Sequence, residues 1–353
     1  MNGIGLLDYI IIFAISFGHS SMNKKVVRDR LKWLDWANVL AMVAVIWFHI
    51  PSTLELPFHD MEYVMVNVPF FLFSGYVFSY VGREKLHWKE FCLTITKNFI
   101  IPSLFFYVFF YVLWLTLGKE LAGDVEDWYV PLLELACGDF NLVLATYWFV
   151  ICLSTIYVIY YLLRKLLMPL FASVVCAIMP FLATFFGIPN FFQLNRAMLF
   201  LPIFALGCSF YNLNKSKSAY LEIAVVIGLM FFCFVLLQLL PSAPPYPWKW
   251  LILGLMFCAI ISFLAKSIAK KDENNSTVNF LRRGVLVILA VQNYIIGFVK
   301  VMMDKLSQET DYLANHFVYK PFVLIFVYVI SFPIIWFIVN KAHFVLGKSR
   351  KLH

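Results

Sequence analysis

The stretch Trp33-Leu-Asp-Trp-Ala-Asn-Val-Leu-Ala-Met-Val-Ala-Val-Ile-Trp-Phe-His49 decides how the rest of the chain is read. It is apolar over nearly its whole length, and its polar positions are Asp35, Asn38 and His49. A bilayer core takes about 20 apolar residues per helical pass at a rise of about 1.5 Å each, so the stretch is of membrane-spanning size. At about 100° per residue, the steps from Asp35 and from Asn38 to His49 both come within about 40° of whole turns. The three residues therefore share one stripe. The same rise separates Asn38 from His49 by roughly 16 Å, so they serve different neighbours or different parts of one elongated ligand.

The composition extends this reading to the whole chain. Of 353 residues, 62% are hydrophobic and 14% charged, with 38 Phe; a soluble domain carries about 25% charged residues. Mean hydropathy is +0.83. These values exclude disorder, a coiled coil and a soluble nucleotide-binding enzyme, and leave an all-α polytopic membrane bundle. Apolar runs predict ten transmembrane helices at about 34–54, 63–81, 98–117, 143–163, 166–187, 197–213, 219–240, 249–268, 283–304 and 320–340. An even number puts both ends of the bundle on one side. If the basic segment before Trp33 is cytoplasmic, 22 of the 28 Lys and Arg fall in inside segments and six fall outside (Lys119, Arg196, Lys249, Lys300, Lys305 and Lys320). The positive-inside rule then makes both bundle ends cytoplasmic, with positions near 30, 90, 215, 272 and 348 inside and those near 59, 130, 244 and 311 outside. The net charge of +8 reports topology rather than nucleic acid. Residues 1–21 read as an N-terminal extension, with Met22 as a natural start, and 22–353 as a single transmembrane domain. The loop at about 118–142 is the long outer one, with room for a short helix, and of the seven cysteines Cys137 alone falls in a polar loop.

Ionisable side chains in a membrane helix are costly and mark function. His49 is suited to take a proton from a hydroxyl near neutral pH, and equally to hydrogen-bond another helix.

The chain resembles the acyltransferase-3 superfamily of integral-membrane O-acyltransferases. The family signature Asp-x-x-(Arg or Lys)-x10-His stands here as Asp35, Asn38 and His49. Val68-Pro-Phe-Phe-Leu-Phe-Ser74-Gly75-Tyr76 is close to the family's Pro-x-Phe-Phe-x-x-Ser-Gly-(Phe or Tyr) on the second helix. Lys97 to Pro102 looks like its basic residue ahead of a third-helix proline, and Tyr147-Trp148-Phe149 like the start of its fourth helix. Arg196 through Leu201-Pro-Ile-Phe-Ala-Leu-Gly207 resembles its sixth. Two positions depart. Asn38 stands where the family has Arg, or Lys in the fucose 4-O-acetylase-like branch, and Ile288-Leu-Ala-Val-Gln292 stands where that branch has Ile-Leu-Ala-Leu-His.

The resemblance implies a multi-pass protein of the bacterial plasma (inner) membrane, with its N- and C-terminal segments cytoplasmic. It would move an acyl group, acetyl in the first place, from acyl-CoA to a hydroxyl of a cell-surface or lipid-linked glycan. It implies His49, Asn38 and Asp35 as catalytic, Lys97, Ser74 and Trp148 at the donor, and Arg196 with Gln292 orienting acceptor or thioester. Acetyl-CoA would be a donor substrate rather than a bound cofactor, and no metal is expected. The expected partners are the bilayer, the acyl-CoA and a glycan or glycolipid acceptor, and not nucleic acid. Plainer readings stand beside these: Trp148 and Arg196 as interfacial anchors, Ser74 with Gly75 as small-residue packing, and Lys97 as a snorkelling cation. Two rivals remain. A glycolipid transporter or flippase would have paired broken helices in related halves, which the sequence does not display. A catalytically silent relative with a binding role would follow from the lost cation at Asn38.

Overall fold

The computed structural model describes residues 31–51, 59–118, 127–138, 143–213, 216–239, 248–271, 276–306 and 316–346. The expectations for residues 1–21 lie outside them. The described chain is an all-α polytopic bundle. Its helices are α1 (Lys32–His49), α2 (His59–Tyr80), α3 (Trp88–Ile95), α4 (Ile101–Leu113), α5 (Val130–Cys137), α6 (Trp148–Leu166), α7 (Pro169–Phe185), α8 (Leu194–Asn212), α9 (Ser218–Leu239), α10 (Trp248–Lys271), α11 (Ser276–Arg283), α12 (Val285–Leu306) and α13 (His316–Asn340). A described helix overlaps each of the ten predicted spans. Seven of the described helical stretches are long and apolar enough to cross a membrane, and α7 is a shorter apolar helix.

Two boundaries differ from the sequence reading, each because of a proline. The first span, predicted to run to 54, ends at His49. Ile50 is extended (φ −76°, ψ 116°), because Pro51 excludes the helical region for the residue before it. His49 therefore stands on the last turn of α1 rather than inside a longer span. The third span, predicted from 98, is helical from Trp88. A π turn, Thr96–Ile100, joins α3 to α4. Pro102 has no N–H for the carbonyl of Asn98, and the ladder loosens on the turn before it.

The described residues fall into two compact units, one within residues 31–77 and 248–341, the other within 78–239 and 342–346. In the first, α1 packs against α10, α11, α12 and α13. Leu34, Ala37, Ala41, Met42, Val45 and Ile46 form its buried face. Gly254 of α10 lets that helix lie directly on Val68, where a Cβ would come within 2.5 Å of the valine side chain.

In the second unit α8 packs against α6, α7 and α9, and α7 packs against α9. Its centre is a nest of edge-to-face rings: Phe78 meets Tyr157, Tyr160 and Phe204 at centroid distances of 5.2, 5.6 and 5.5 Å. In lipid, expulsion of water does not drive helices together, so such dense aromatic packing contributes the cohesion. Large apolar side chains such as Val108, Phe109, Ile325 and Val329 are more than half exposed, as a lipid-facing surface requires.

Candidate active site

Helix α1 gives each residue of its polar stripe a different neighbour. Asp35, in the first turn, is buried, and its Oδ1 lies 2.8 Å from Arg282 Nε on α11. The guanidinium also donates to Asn279 Oδ1 at 3.2 Å. An acid in the first turn of one helix and a base in the last turn of the other both suit the helix dipoles. Asn38, 1% exposed, donates from Nδ2 to the Leu34 carbonyl at 3.1 Å.

His49 stands at the end of α1, with Nδ1 at 2.7 Å from the Val45 carbonyl in a part-buried hydrogen bond. A carbonyl only accepts, so Nδ1 carries the proton, and in the neutral ring Nε2 keeps its lone pair. That is the tautomer a general base needs. The three residues share a helix, and about 21 Å of it separates Asp35 from His49.

Two cations of this unit are not among the expected site residues. Arg282 is the first. The second is Lys320 on α13, 6% exposed, whose ammonium donates to the Trp47 carbonyl at 3.3 Å and lies 5.6 Å from the Trp47 ring centroid. It thus places positive charge on the last turn of α1. A lysine at the start of an otherwise apolar run was a signal available from the sequence. The pairing of Arg282 with Asp35 had no local signal.

Ser74 and Gln292 belong to the same unit and are both fully buried. Among the described residues, neither the Ser74 hydroxyl nor either atom of the Gln292 amide has a hydrogen-bond partner. A buried polar group left so costs about 1–3 kcal/mol, an expense that functional sites carry and packing alone does not justify.

The second unit holds Lys97, Trp148 and Arg196. Lys97 lies exposed on the π turn, while its neighbour Asn98 is buried with an Nδ2 that lacks a partner among the described residues. The inward-facing polar group of this motif is therefore residue 98, which sequence reasoning passed over. Arg196 and Trp148 do meet: the guanidinium sits 5.0 Å from the indole centroid, a cation–aromatic pair.

Arg196 is held by an unusual turn. Its Nη1 donates to Gln193 Oε1 at 2.7 Å, and Gln193 Nε2 donates to the Gly138 carbonyl at 3.0 Å. Phe192 and Gln193 both have positive φ, 49° and 56°. Non-glycine residues in that region cost of order 1–3 kcal/mol each and persist where surrounding contacts fix them. Here the Thr155 hydroxyl donates to the Phe192 carbonyl at 2.9 Å, and the Gln193 side chain is fully buried. A left-handed Gln before α8 has no signature in a single sequence.

The comparisons with known proteins name the class of this membrane protein. The family model described as an acyltransferase domain matches residues 31–340, which run through both units. No curated protein matches the chain, and no solved structure does. A match over that much of the chain shows that it belongs to the acyltransferase-3 family of membrane acyltransferases.

Proposed function

We propose that this acyltransferase moves an acyl group, acetyl in the first place, from acyl-CoA supplied on the cytoplasmic side to a hydroxyl of a cell-surface or lipid-linked glycan, in a bacterial plasma membrane. The observation that carries the reading is the His49 ring, whose Nδ1 bond to Val45 leaves Nε2 as the acceptor. In the proposed step Nε2 takes the acceptor's hydroxyl proton as that oxygen attacks the acyl carbonyl. The carbon–sulfur bond then breaks, and the imidazolium returns its proton to the leaving thiolate, so that proton and charge balance over the turnover.

The Gln292 amide and the Ser74 hydroxyl, buried and unpaired within the described chain, suit the polar groups of a thioester donor. Arg282, ion-paired with Asp35 one turn from Asn38, is the proposed source of the cation that the resemblance places at position 38. In the other unit, Lys97 suits the donor's phosphates, and Arg196 over Trp148 suits a sugar. These roles rest on chemistry alone. The basic segments that set the predicted topology would face the anionic donor.

The test is acetyl transfer and CoA release by the purified protein in nanodiscs, supplied with acetyl-CoA. The wild type should release CoA and His49→Ala should not. Full activity in His49→Ala would remove the base from the reading. No activity in the wild type with any acyl-CoA would instead favour the silent relative, the rival that Asn38 motivates.

A further inference from the structure

The segment around α5 turns its surface inside out for a water-exposed loop. Its exposed side chains from Trp128 onward are Trp128, Tyr129, Leu132, Leu133, Ala136 and Cys137, with Trp128 61% and Leu133 59% exposed. None is charged. Glu134, the charged residue of the helix itself, lies on the half-buried side with one carboxylate oxygen out of reach of solvent. At about 100° per residue, Leu132, Ala136 and Leu133 span an arc of about 100°, and Glu134 points roughly 150° from its middle. A surface helix in water has the opposite polarity, with charge outward and its apolar stripe on the protein. Eight residues are also too few to hold a helix in water unaided.

Two phenols tie the segment to the helix that carries α4. The Tyr107 hydroxyl donates to the Pro131 carbonyl at 2.6 Å and the Tyr111 hydroxyl to the Trp128 carbonyl at 2.7 Å. Both tyrosines lie on the apolar stretch Trp88–Thr116, and Tyr111 is within about 8 Å of its end. The lipid-facing side chains Val108, Phe109 and Val112 of that stretch are more than half exposed. The apolar face of α5 therefore sits at the level where a spanning helix leaves the hydrocarbon. Trp and Tyr concentrate at that level in membrane proteins. The Tyr129 phenol bonds the Asp127 carboxylate, which also holds its proton on above the ordinary phenol range, so the ring has a polar tip directed to a water-side group.

We propose that Trp128 to Cys137 is a membrane-surface helix, with Trp128, Tyr129, Leu132 and Leu133 sunk in the headgroup and acyl boundary of the leaflet it meets. The partner is the lipid surface itself. The face is independent of the acyl-transfer reading, so the two stand or fall separately.

Nitroxide labels at Leu133→Cys and, separately, Leu132→Cys test this in a Cys92→Ser, Cys137→Ser background; the other cysteines are buried. The labelled protein, in phosphatidylcholine and phosphatidylglycerol nanodiscs, is probed by collision with oxygen and with a water-soluble nickel chelate. Both labels should favour oxygen and report a depth of about 5–10 Å below the phosphates, whereas a label at Asp127→Cys should favour the nickel chelate. Collision with nickel at positions 132 and 133 as frequent as at 127 would overturn the proposal. Shielding of both labels from both reagents would mean that protein covers the face, and would overturn it as well.

Discussion

Arg282 Nε lies 2.8 Å from Asp35 Oδ1, joining the last turn of α11 to the first turn of α1 where both side chains are largely withdrawn from solvent. Breaking a buried pair from one side leaves the other charge uncompensated, at a cost of about 3–5 kcal/mol, whereas removing both sides costs far less. Asp35→Asn should therefore lower the midpoint of thermal unfolding in detergent more than Asp35→Asn combined with Arg282→Gln does. Losses that simply add would show that the two groups do not interact.

Gln292 gives a prediction in which stability and activity move in opposite directions. Its buried amide has no partner among the described residues, and each such group costs about 1–3 kcal/mol. Gln292→Met keeps the volume and removes the polar atoms, so the unfolding midpoint should rise by roughly 2–4 °C. Acyl transfer should fall in the same variant. Lowered stability with unchanged transfer would show that the amide serves the packing and not the reaction.

How much of this was legible in the sequence depended on the range of the interaction. The apolar runs located the described apolar helices, because a helix in lipid must satisfy its own backbone and its length is fixed by the bilayer. The end of α1 at His49 has a local cause too, since Pro51 governs Ile50, although the sequence reading carried the span on to 54. The stripe of Asp35, Asn38 and His49 followed from helix periodicity, but its neighbours did not. Arg282 counted only as one more positive charge in an inside segment, because nothing along the chain links it to Asp35. The bond from Gln193 to Gly138 and the left-handed turn that directs Arg196 arise from tertiary packing. The inverted polarity of α5 was hidden for the same reason: only the fold shows which side of the helix Glu134 takes.

Gly138 and Gly187 form a natural control for one another. Both have positive φ, 64° and 57°, so alanine strains the backbone alike at either, by about 1–2 kcal/mol. They differ in surroundings. A Cβ on Gly138 would come within 2.6 Å of the Phe192 ring and 2.8 Å of its Cα, whereas a Cβ on Gly187 meets nothing within 4 Å. Gly138→Ala should lower the unfolding midpoint distinctly further than Gly187→Ala, because the Phe192 backbone is itself fixed by Thr155. Equal shifts would show that the turn before α8 gives way freely, and that Arg196 is not held by it.

Asn38 and Arg282 provide the last prediction. If the reaction uses a cation beside Asp35, Arg282 supplies it here, since Asn38 offers a neutral amide bonded to the Leu34 carbonyl. A charge-assisted hydrogen bond is roughly twice as strong as a neutral one. Its loss should be worth on the order of 1–3 kcal/mol, or about tenfold to a hundredfold in rate. Arg282→Gln should therefore lower acetyl transfer by about that factor while His49 remains in place. Positions 35 and 38 are neighbours on one helix face, so Asn38→Lys brings an ammonium to the same carboxylate from the opposite side. Asn38→Lys alone should preserve or raise transfer, and in the Arg282→Gln background it should recover most of the lost rate. Restored stability without restored transfer would show that the pair is structural. Recovery of transfer would place the cation in the reaction, whichever helix carries it.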